Sequence, residues 1–291
     1  MKKILLATGV LSLLLGAALV AGPAAKPADV RPSLHGKFVW FDLLTNDAAA
    51  AEKYYGGLLG WSVEVLKDHE PPYKIIRLGG APIGGLVDMT SRKEQLPEST
   101  WLGYVSVPDV DAAAAAFKEK GGAVLKAPFE VGGLARAAVV TDPQRALLGL
   151  IRIAKGDPPD APPADGRFLW IEHLAKDAPA AMAFYRDVLG YEAKPLDPGV
   201  AGVEFAYYAL GKGGKNRAGL YTMPWKELNS NWLPYVRVAD AGAAAEKAKS
   251  LGGRVVLAPR ADLRDGSLAI VVDPTGAALA LQKFPFEKNG K

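Results

Sequence analysis

Segments in which hydrophobic and polar positions alternate are separated by alanine-rich segments along most of this chain. Residues 38–44 alternate and predict a strand. Asp47 follows as a good N-cap for an alanine-rich helix, which Gly56 and Gly57 are expected to end. A second helix is predicted after Asp109 or Asp111, ending at the glycines 121–122. The other strands of this part are predicted at residues 73–78, 83–89, 102–107, 123–125 and 137–141, with a last strand reaching Ile153.

The same order of elements occurs twice. Residues 36–40, Gly-Lys-Phe-Val-Trp, reappear 130 positions later as Gly-Arg-Phe-Leu-Trp, and Asp142-Pro143 reappears 131 positions later as Asp273-Pro274. The second copy repeats a helix over 178–188, capped by Asp177, and strands at 204–210 and 218–223. Each copy holds two βαβββ units, so the chain is predicted to be an α+β protein with four such units.

The copies bound the predicted domains. The first covers residues 36–154 and the second 166–285. Residues 155–165, Lys-Gly-Asp-Pro-Pro-Asp-Ala-Pro-Pro-Ala-Asp, are typical of a linker. The glycine-rich segments are assigned to hairpins, where glycine supplies positive φ; they are residues 79–80, 84–85 and 211–214.

The first 30 residues have the order of a secretory signal. Lys2 and Lys3 precede an apolar run over residues 4–21, and small residues and prolines follow. The sequence therefore predicts a periplasmic or secreted protein. An uncleaved membrane anchor is the alternative, because the run is almost long enough to span a bilayer.

Composition narrows the function classes. The chain is 49% hydrophobic and 23% charged, as globular proteins are, and it has no cysteine. Thiol nucleophiles, thiolate metal sites and disulfides are therefore excluded. The formal charge of +4 comes from scattered residues and forms no basic stripe, so nucleic acid is not the expected partner.

Several motifs resemble the vicinal oxygen chelate superfamily, the glyoxalase, bleomycin-resistance and extradiol-dioxygenase group. They are the helices ending in Tyr-x-x-x-Leu-Gly-Trp/Tyr at residues 55–61 and 185–191, the Tyr-Val-x-Val-x-Asp segment at 104–109, and the Asp-Pro turns. The resemblance covers about residues 36–285 and is nearest to a two-domain branch with Trp in the first strand. It implies that paired units curl into eight-stranded, partly open, barrel-like sheets around a cleft, with the helices outside. The units could pair within a copy or be exchanged between the copies.

The same resemblance places the family's metal ligands at fixed distances from the aspartates. Ligands are expected seven residues before the capping aspartate of each unit and seven after the aspartate of the Asp-Pro turn. The residues found there cannot ligate a metal: Trp40, Trp170, Leu102, Leu233, Gly149 and Ala280. A divalent site needs three or four converging N or O donors, so we predict no metal and no cofactor.

The three histidines do not supply such a site. His35 precedes the first strand and His69 lies in a polar loop, and both are interpreted as surface residues. His173 alternates with Trp170 and Glu172 along its strand, so it is expected to pack under the helix as a core histidine.

The residues expected in the clefts are aromatic and acidic. A period of two places Asp42 beside Trp40 and Glu172 beside Trp170. The two carboxylates are candidate catalytic groups, because a desolvated carboxylate can act as a general base. They could instead cap backbone groups or pair with Arg77 or Arg136. The candidate ligand-binding residues are Trp40, Trp170, Tyr73, Tyr207 or its neighbour Tyr208, and Tyr221.

Three functions fit these patterns. The first is a metal-independent protein that binds a small aromatic or apolar molecule. The second is an enzyme, either an isomerase or hydrolase using Asp42 or Glu172, or a lyase or dioxygenase with a metal site of another kind. The third is a structural module in which the Trp residues fill the clefts.

Overall fold

The computed structural model describes residues 31–66, 73–90, 98–196, 207–223 and 229–285. Helices α1 (Ala48–Leu59) and α2 (Val110–Glu119) belong to the first half. The strands of this half are β1 (Phe38–Thr45), β2 (Ser62–Leu66), β3 (Tyr73–Leu78), β4 (Ala81–Asp88), β5 (Thr100–Ser106), β6 (Ala123–Val131), β7 (Ala135–Thr141) and β8 (Leu147–Ile153). The predicted signal segment and His69 lie outside the described residues.

The second half repeats this order. Its helices are α3 (Ala178–Leu189) and α4 (Ala241–Ser250). Its strands are β9 (Phe168–Ala175), β10 (Glu192–Leu196), β11 (Tyr207–Lys212), β12 (Lys215–Thr222), β13 (Asn231–Arg237), β14 (Arg254–Leu257), β15 (Leu268–Val272) and β16 (Ala278–Gln282). None of the helices in the described segments has the length and apolar character needed to cross a membrane.

Aspartate begins each helix, and for α1, α2 and α3 the sequence predicts it. The side chains of Asp47 and Asp177 accept hydrogen bonds of 3.0 Å from the backbone N–H three residues on, and Asp109 does the same for α2. The choice between Asp109 and Asp111 is thereby resolved. These bonds satisfy N–H groups that have no partner within the helix.

The predicted end of α1 at Gly56 and Gly57 is wrong. The helix continues to Leu59 and ends at Gly60, which has a left-handed φ of 72°. Gly57 allows α1 to pack closely against Leu251, the residue that follows helix α4, because a Cβ at position 57 would lie 2.9 Å from the Leu251 side chain. A glycine inside a helix can thus mark a close approach of another element instead of a helix end.

The strands form two eight-stranded sheets, one for each copy, and neither is a closed barrel. The orders are β2-β3-β4-β1-β5-β8-β7-β6 and β10-β11-β12-β9-β13-β16-β15-β14. In both, the first strand of each unit lies at the centre, and the two central strands are antiparallel. The βαβββ units therefore pair within a copy, and the predicted α+β fold with partly open sheets is confirmed.

The two faces of each sheet pack differently. One face joins the helices in a core that contains side chains of both halves. The opposite face carries its own smaller cluster in each half, made of strand and loop residues without helix residues. We call these opposite surfaces the first and second helix-free faces.

The halves meet through reciprocal contacts. Trp61 Nε1 donates to the Gly166 carbonyl at 2.7 Å, and the Tyr191 hydroxyl, at the matching position, donates to the Gly36 carbonyl at 2.5 Å. Phe41 stacks on Phe168 with ring centroids 4.0 Å apart. Because both copies supply equivalent contacts, the halves are related by a pseudo-two-fold arrangement.

His173 belongs to this junction, in agreement with its predicted core position. It is fully buried, and its Nε2 lies 2.9 Å from a carboxylate oxygen of Asp142, which also accepts from the Tyr185 hydroxyl at 3.0 Å. Its ring packs against Trp232, with centroids 4.8 Å apart. His173 thus connects the second sheet to the Asp-Pro turn of the first half. The interpretation of His35 as a surface residue is only half right, because it is half-buried 3.5 Å from Ser106 Oγ.

Candidate functional site

The second helix-free face holds a hydrogen-bonded network around Glu172. This side chain is 1% exposed. Its Oε1 accepts from the Tyr207 hydroxyl at 2.8 Å and from Arg264 Nη2 at 2.6 Å, and its Oε2 accepts from the Tyr235 hydroxyl at 2.5 Å. Three donors therefore engage both oxygens of a buried carboxylate, which compensates for its loss of hydration.

Trp170 and Tyr221 complete this network. Trp170 Nε1 donates to the Tyr207 hydroxyl at 3.2 Å. Tyr221 lies opposite Tyr207 in the sheet, with ring centroids 6.2 Å apart. The structure thus brings together the four predicted residues of the second cleft. Tyr207 is the one of the two neighbouring tyrosines that faces the network, since Tyr208 packs against the helix side.

Arg264 is held in place by an unusual backbone. It and Asp265 have left-handed φ angles of 48° and 52°, which residues other than glycine rarely adopt. The guanidinium also donates to Gln282 Oε1 at 2.8 Å and lies 5.5 Å from the ring centre of Tyr235. Such strain persists where surrounding contacts over-determine the conformation, and here the contacts are those of the buried ion pair.

The charges in this network reinforce one another. Burial is the largest single influence on the Arg264 guanidinium and lowers its pKa, but Glu172, Tyr235 and Tyr207 together outweigh burial, so the net pKa is raised. Burial, followed by the charge of Glu172, raises the pKa of Tyr207 and Tyr235 well above the ordinary range. Both hydroxyls therefore keep their protons and remain donors to the carboxylate.

The first helix-free face has a related but more accessible arrangement. Asp42 Oδ1 accepts from the Tyr73 hydroxyl at 2.5 Å and from Trp40 Nε1 at 2.9 Å, and Trp40 Nε1 is also 2.9 Å from the Tyr73 hydroxyl. Asp42 is 5% exposed, whereas Trp40 and Tyr73 are half-buried. Burial, then the charge of Asp42, raises the pKa of Tyr73, so this hydroxyl also stays protonated.

Glycines in the neighbouring strand make room for both tyrosine–carboxylate pairs. A Cβ at Gly85 would lie 1.9 Å from the Tyr73 hydroxyl and 2.4 Å from Asp42 Oδ1. A Cβ at Gly219 would lie 2.3 Å from the Tyr207 hydroxyl. The prediction that Gly84 and Gly85 form a hairpin is therefore wrong, since both lie inside β4 and neither has positive φ.

The two arginines proposed as partners of the carboxylates contact other groups. Arg77 pairs with Glu64, and Arg136 pairs with Asp111 and Glu130. The partner of Glu172 is Arg264. This residue lies between strands β14 and β15, where the alternation of a strand predicts no side-chain direction. Its counterpart in the first half, 131 positions earlier, is Gly133, so the repeat gives no signal for it.

The residues do not fit the family's metal. Trp170 on β9 lies opposite Tyr235 on β13, which in turn lies opposite Ala280 on β16. In the first half the corresponding row is Trp40, Tyr104 and Gly149, and a Cβ at Gly149 would lie 2.2 Å from the Tyr104 ring. Two of the predicted ligand positions thus carry indole rings, and the phenol rings of Tyr104 and Tyr235 lie on the strands beside them. Within the described segments no three His, Cys, Asp or Glu side chains form a cluster that could hold a metal.

Both halves match family models. Residues 37–150 match the model described as the Glyoxalase/Bleomycin resistance protein/Dioxygenase superfamily, and residues 170–281 match a glyoxalase-like domain. The Mycobacterium bovis protein named "Putative glyoxylase CFP32" is 30% identical over 249 residues, covering 84% of this chain and 93% of that protein. The anthracycline biosynthesis protein DnrV of Streptomyces peucetius is 28% identical, covering 84% of this chain and 92% of that one.

Solved structures share the fold. The Mn(II)-bound glyoxalase from Novosphingobium aromaticivorans superposes with a TM-score of 0.58 at 16% identity, covering 87% of this chain and 83% of that chain. The 2,2',3-trihydroxybiphenyl 1,2-dioxygenase from Sphingomonas wittichii has a TM-score of 0.54 at 14% identity, covering 86% and 90%. At these identities the likeness concerns architecture and carries no assignment of activity.

Proposed function

Because this chain belongs to the glyoxalase, bleomycin resistance protein and dioxygenase superfamily, we propose that it binds a small aromatic or apolar molecule without a metal ion. The observation that carries this proposal is that Trp40 and Trp170 stand at predicted metal-ligand positions, with Tyr104 and Tyr235 opposite them on the neighbouring strands. Rings with a few fixed polar groups are typical of sites for organic ligands.

The first helix-free face is the better candidate for the ligand. Trp40 and Tyr73 are half-buried there, so they retain surface that a planar molecule can cover. Their polar atoms and Asp42 lie within 2.9 Å of one another and can orient a hydroxyl or amine of the ligand. Glu172 in the second half already accepts hydrogen bonds from Arg264 and two tyrosines. We therefore assign this network a mainly structural role.

Two relatives support a planar polycyclic ligand. DnrV and DauV are both named anthracycline biosynthesis proteins, and DauV is 28% identical over 88% of this chain and 97% of DauV. An anthracycline is therefore the first probe to test. Its fused rings would pack against Trp40, and its hydroxyl groups would meet Asp42 and Tyr73.

The test is titration calorimetry with an anthracycline in the presence of EDTA. Wild-type protein is expected to bind, and Trp40→Leu is expected to weaken binding about tenfold, as the loss of a well-packed aromatic contact does. The matched control is Trp170→Leu, which removes the equivalent indole of the second half and is expected to bind like wild type. Equal loss in both variants, or binding that disappears with EDTA, would contradict the proposal.

The short Tyr73–Asp42 hydrogen bond favours an enzyme as the second candidate. A buried carboxylate next to a protonated phenol can accept a proton from one position of a ligand while the phenol donates to another. Glu172 is less suited to this role, because it is 1% exposed and pairs with the Arg264 guanidinium. Mass spectrometry of the bound probe before and after incubation decides between binding and turnover, and Asp42→Asn is expected to abolish any turnover.

We also propose export from the cytoplasm. Lys2 and Lys3 followed by the apolar run of residues 4–21 support it, since this is the order that a secretory signal requires. Mass spectrometry of protein recovered from the envelope of the producing cell is expected to show a chain shorter than the 30.7 kDa full sequence. Recovery of the intact chain from the cytoplasm would oppose export.

A further inference from the structure

A groove of about 340 Å³ lies between the first strands of the two halves. Its walls are residues 37–41 of the first half and 167–171 of the second, and the proline-rich residues 158–164 form another side. It is separate from the Tyr73–Asp42 and Tyr207–Glu172 pairs, which are not among its lining residues. Its volume is within the range of small-molecule sites.

Aromatic side chains make the walls of this groove hydrophobic. Trp40, Phe41, Phe168 and Trp170 all line it, and Phe41 and Phe168 stack on each other across the junction. Phe168 and Trp170 are half-buried, so part of each side chain remains uncovered by protein. Such walls favour a flat organic ligand over a small inorganic ion.

The groove carries an excess of positive charge. Lys37, Arg167 and Arg217 line it, whereas Asp160 is the one carboxylate among the lining residues. Asp160 is shared by Lys37 at 3.2 Å, Lys215 at 2.7 Å and Arg217 at 2.8 Å. One carboxylate cannot neutralise this many cations, so the groove favours an anion.

Two guanidinium groups have hydrogen-bond donors available for a ligand. The Arg217 side chain is 10% exposed, and its Nε has no hydrogen-bond partner within the described part of the chain. Arg167 is half-buried and its side chain forms no ion pair with the residues that the structure describes. The ion pairs of Asp160 can be explained by their role in attaching the linker. That role does not explain why Arg167 lacks an ion pair among the described residues or why aromatic residues line the groove. A buried cation without a full set of partners is costly, and a bound anion would remove that cost.

We propose that this groove binds a small aromatic carboxylate, with the carboxylate on Arg167 and Arg217 and the ring against the aromatic walls. The groove shares Trp40 and Trp170 with the helix-free faces, but its anion-binding groups are Arg167 and Arg217 and not the carboxylates of those faces. Arg167 directly precedes strand β9, and Arg217 lies in strand β12. Their fork-shaped donors can therefore approach a carboxylate from two directions.

The probe is 1-naphthoate, measured by titration calorimetry against its neutral analogue 1-naphthamide. Wild-type protein is expected to bind the naphthoate at least about tenfold more tightly than the amide, because a charge-assisted hydrogen bond contributes at least that factor. Arg167→Gln is expected to remove about tenfold of naphthoate affinity and to leave amide binding unchanged. Its folding is checked by circular dichroism.

Arg152→Gln is the matched control, since it removes the same charge from an exposed position on β8 outside the groove. It is expected to bind naphthoate like wild type. Three results would overturn the proposal: no naphthoate binding by folded protein, equal affinity for acid and amide, or Arg167→Gln and Arg152→Gln behaving alike.

Discussion

Glu172 and Asp42 stand at matching places 130 positions apart, yet their neighbours give them different roles. Glu172 is 1% exposed and pairs with Arg264, whereas Asp42 joins two half-buried aromatic residues. The sequence predicted both carboxylates beside their tryptophans, because strand periodicity determines which side chains share a face. It could not predict Arg264, because periodicity gives no direction for a long side chain in a loop.

Arg264→Met is expected to destabilise the protein by about 3–5 kcal/mol, because it leaves the buried Glu172 carboxylate without its cation. Adding Glu172→Gln should restore most of the loss, since the remaining neutral amide no longer needs a counter-charge. Urea unfolding of the single and double variants measures both effects. An Arg264→Met protein as stable as wild type would show that the ion pair has no structural role.

Gly85→Ala and Gly219→Ala are each expected to cost about 1–3 kcal/mol of unfolding free energy, because the added methyl overlaps the Tyr73 or Tyr207 hydroxyl. Gly211→Ala is the control, a strand glycine where a Cβ would meet no atom closer than 3.4 Å. Thermal unfolding compares the three. If Gly211→Ala lowers the unfolding free energy as much as the other two substitutions, the loss does not come from overlap with the tyrosine hydroxyls.

At the scale of elements, the sequence was informative about where helices begin and less so about where they end. Aspartates at N-caps signal a local hydrogen bond that needs no tertiary context. The end of α1 depended on Gly57, whose function is contact with Leu251 nearly two hundred positions away in sequence. Strand β2 was also not predicted, although its first four residues, Ser-Val-Glu-Val, alternate between polar and apolar.

Asp47→Ala is expected to lower the unfolding free energy by about 1 kcal/mol, since it removes the acceptor for the Ala50 N–H. Asp47→Asn keeps an acceptor oxygen and should lose only a few tenths of that amount. Chemical denaturation of both variants provides the measurement. Equal losses would assign the effect to charge at the helix N-terminus instead of the cap.

At the scale of the molecule, the internal repeat predicted the two sheets but not the reciprocal contacts at their junction. It could not predict how the linker packs, because prolines and polar residues carry no periodic signal. In the structure Asp160 of the linker contacts Lys37 from the first half and Lys215 and Arg217 from the second. The linker is therefore fastened to both halves by charge.

Asp160→Asn is expected to destabilise the protein by up to about 1 kcal/mol at neutral pH, the range of a partly exposed ion-pair network. Hydrogen bonds from Lys215, then Arg217 and Lys37, against the opposing effect of burial, hold the pKa of Asp160 well below its usual range. A lowered folded-state pKa stabilises the protein above the unfolded pKa of about 4, and this contribution declines as the pH falls below that value. The difference in unfolding free energy between Asp160→Asn and wild type, measured by urea unfolding, should therefore shrink as the pH falls below about 4. A difference that does not change with pH would contradict this role of Asp160.

The claim that rings have replaced the metal is tested most directly by elemental analysis of the purified full-length protein, with melting temperature recorded with and without EDTA. The account predicts far less than one transition-metal ion per chain and an unchanged melting temperature, because Trp40 and Trp170 stand at predicted ligand positions and cannot ligate a metal. One ion per chain, lost with EDTA together with several degrees of melting temperature, would contradict it.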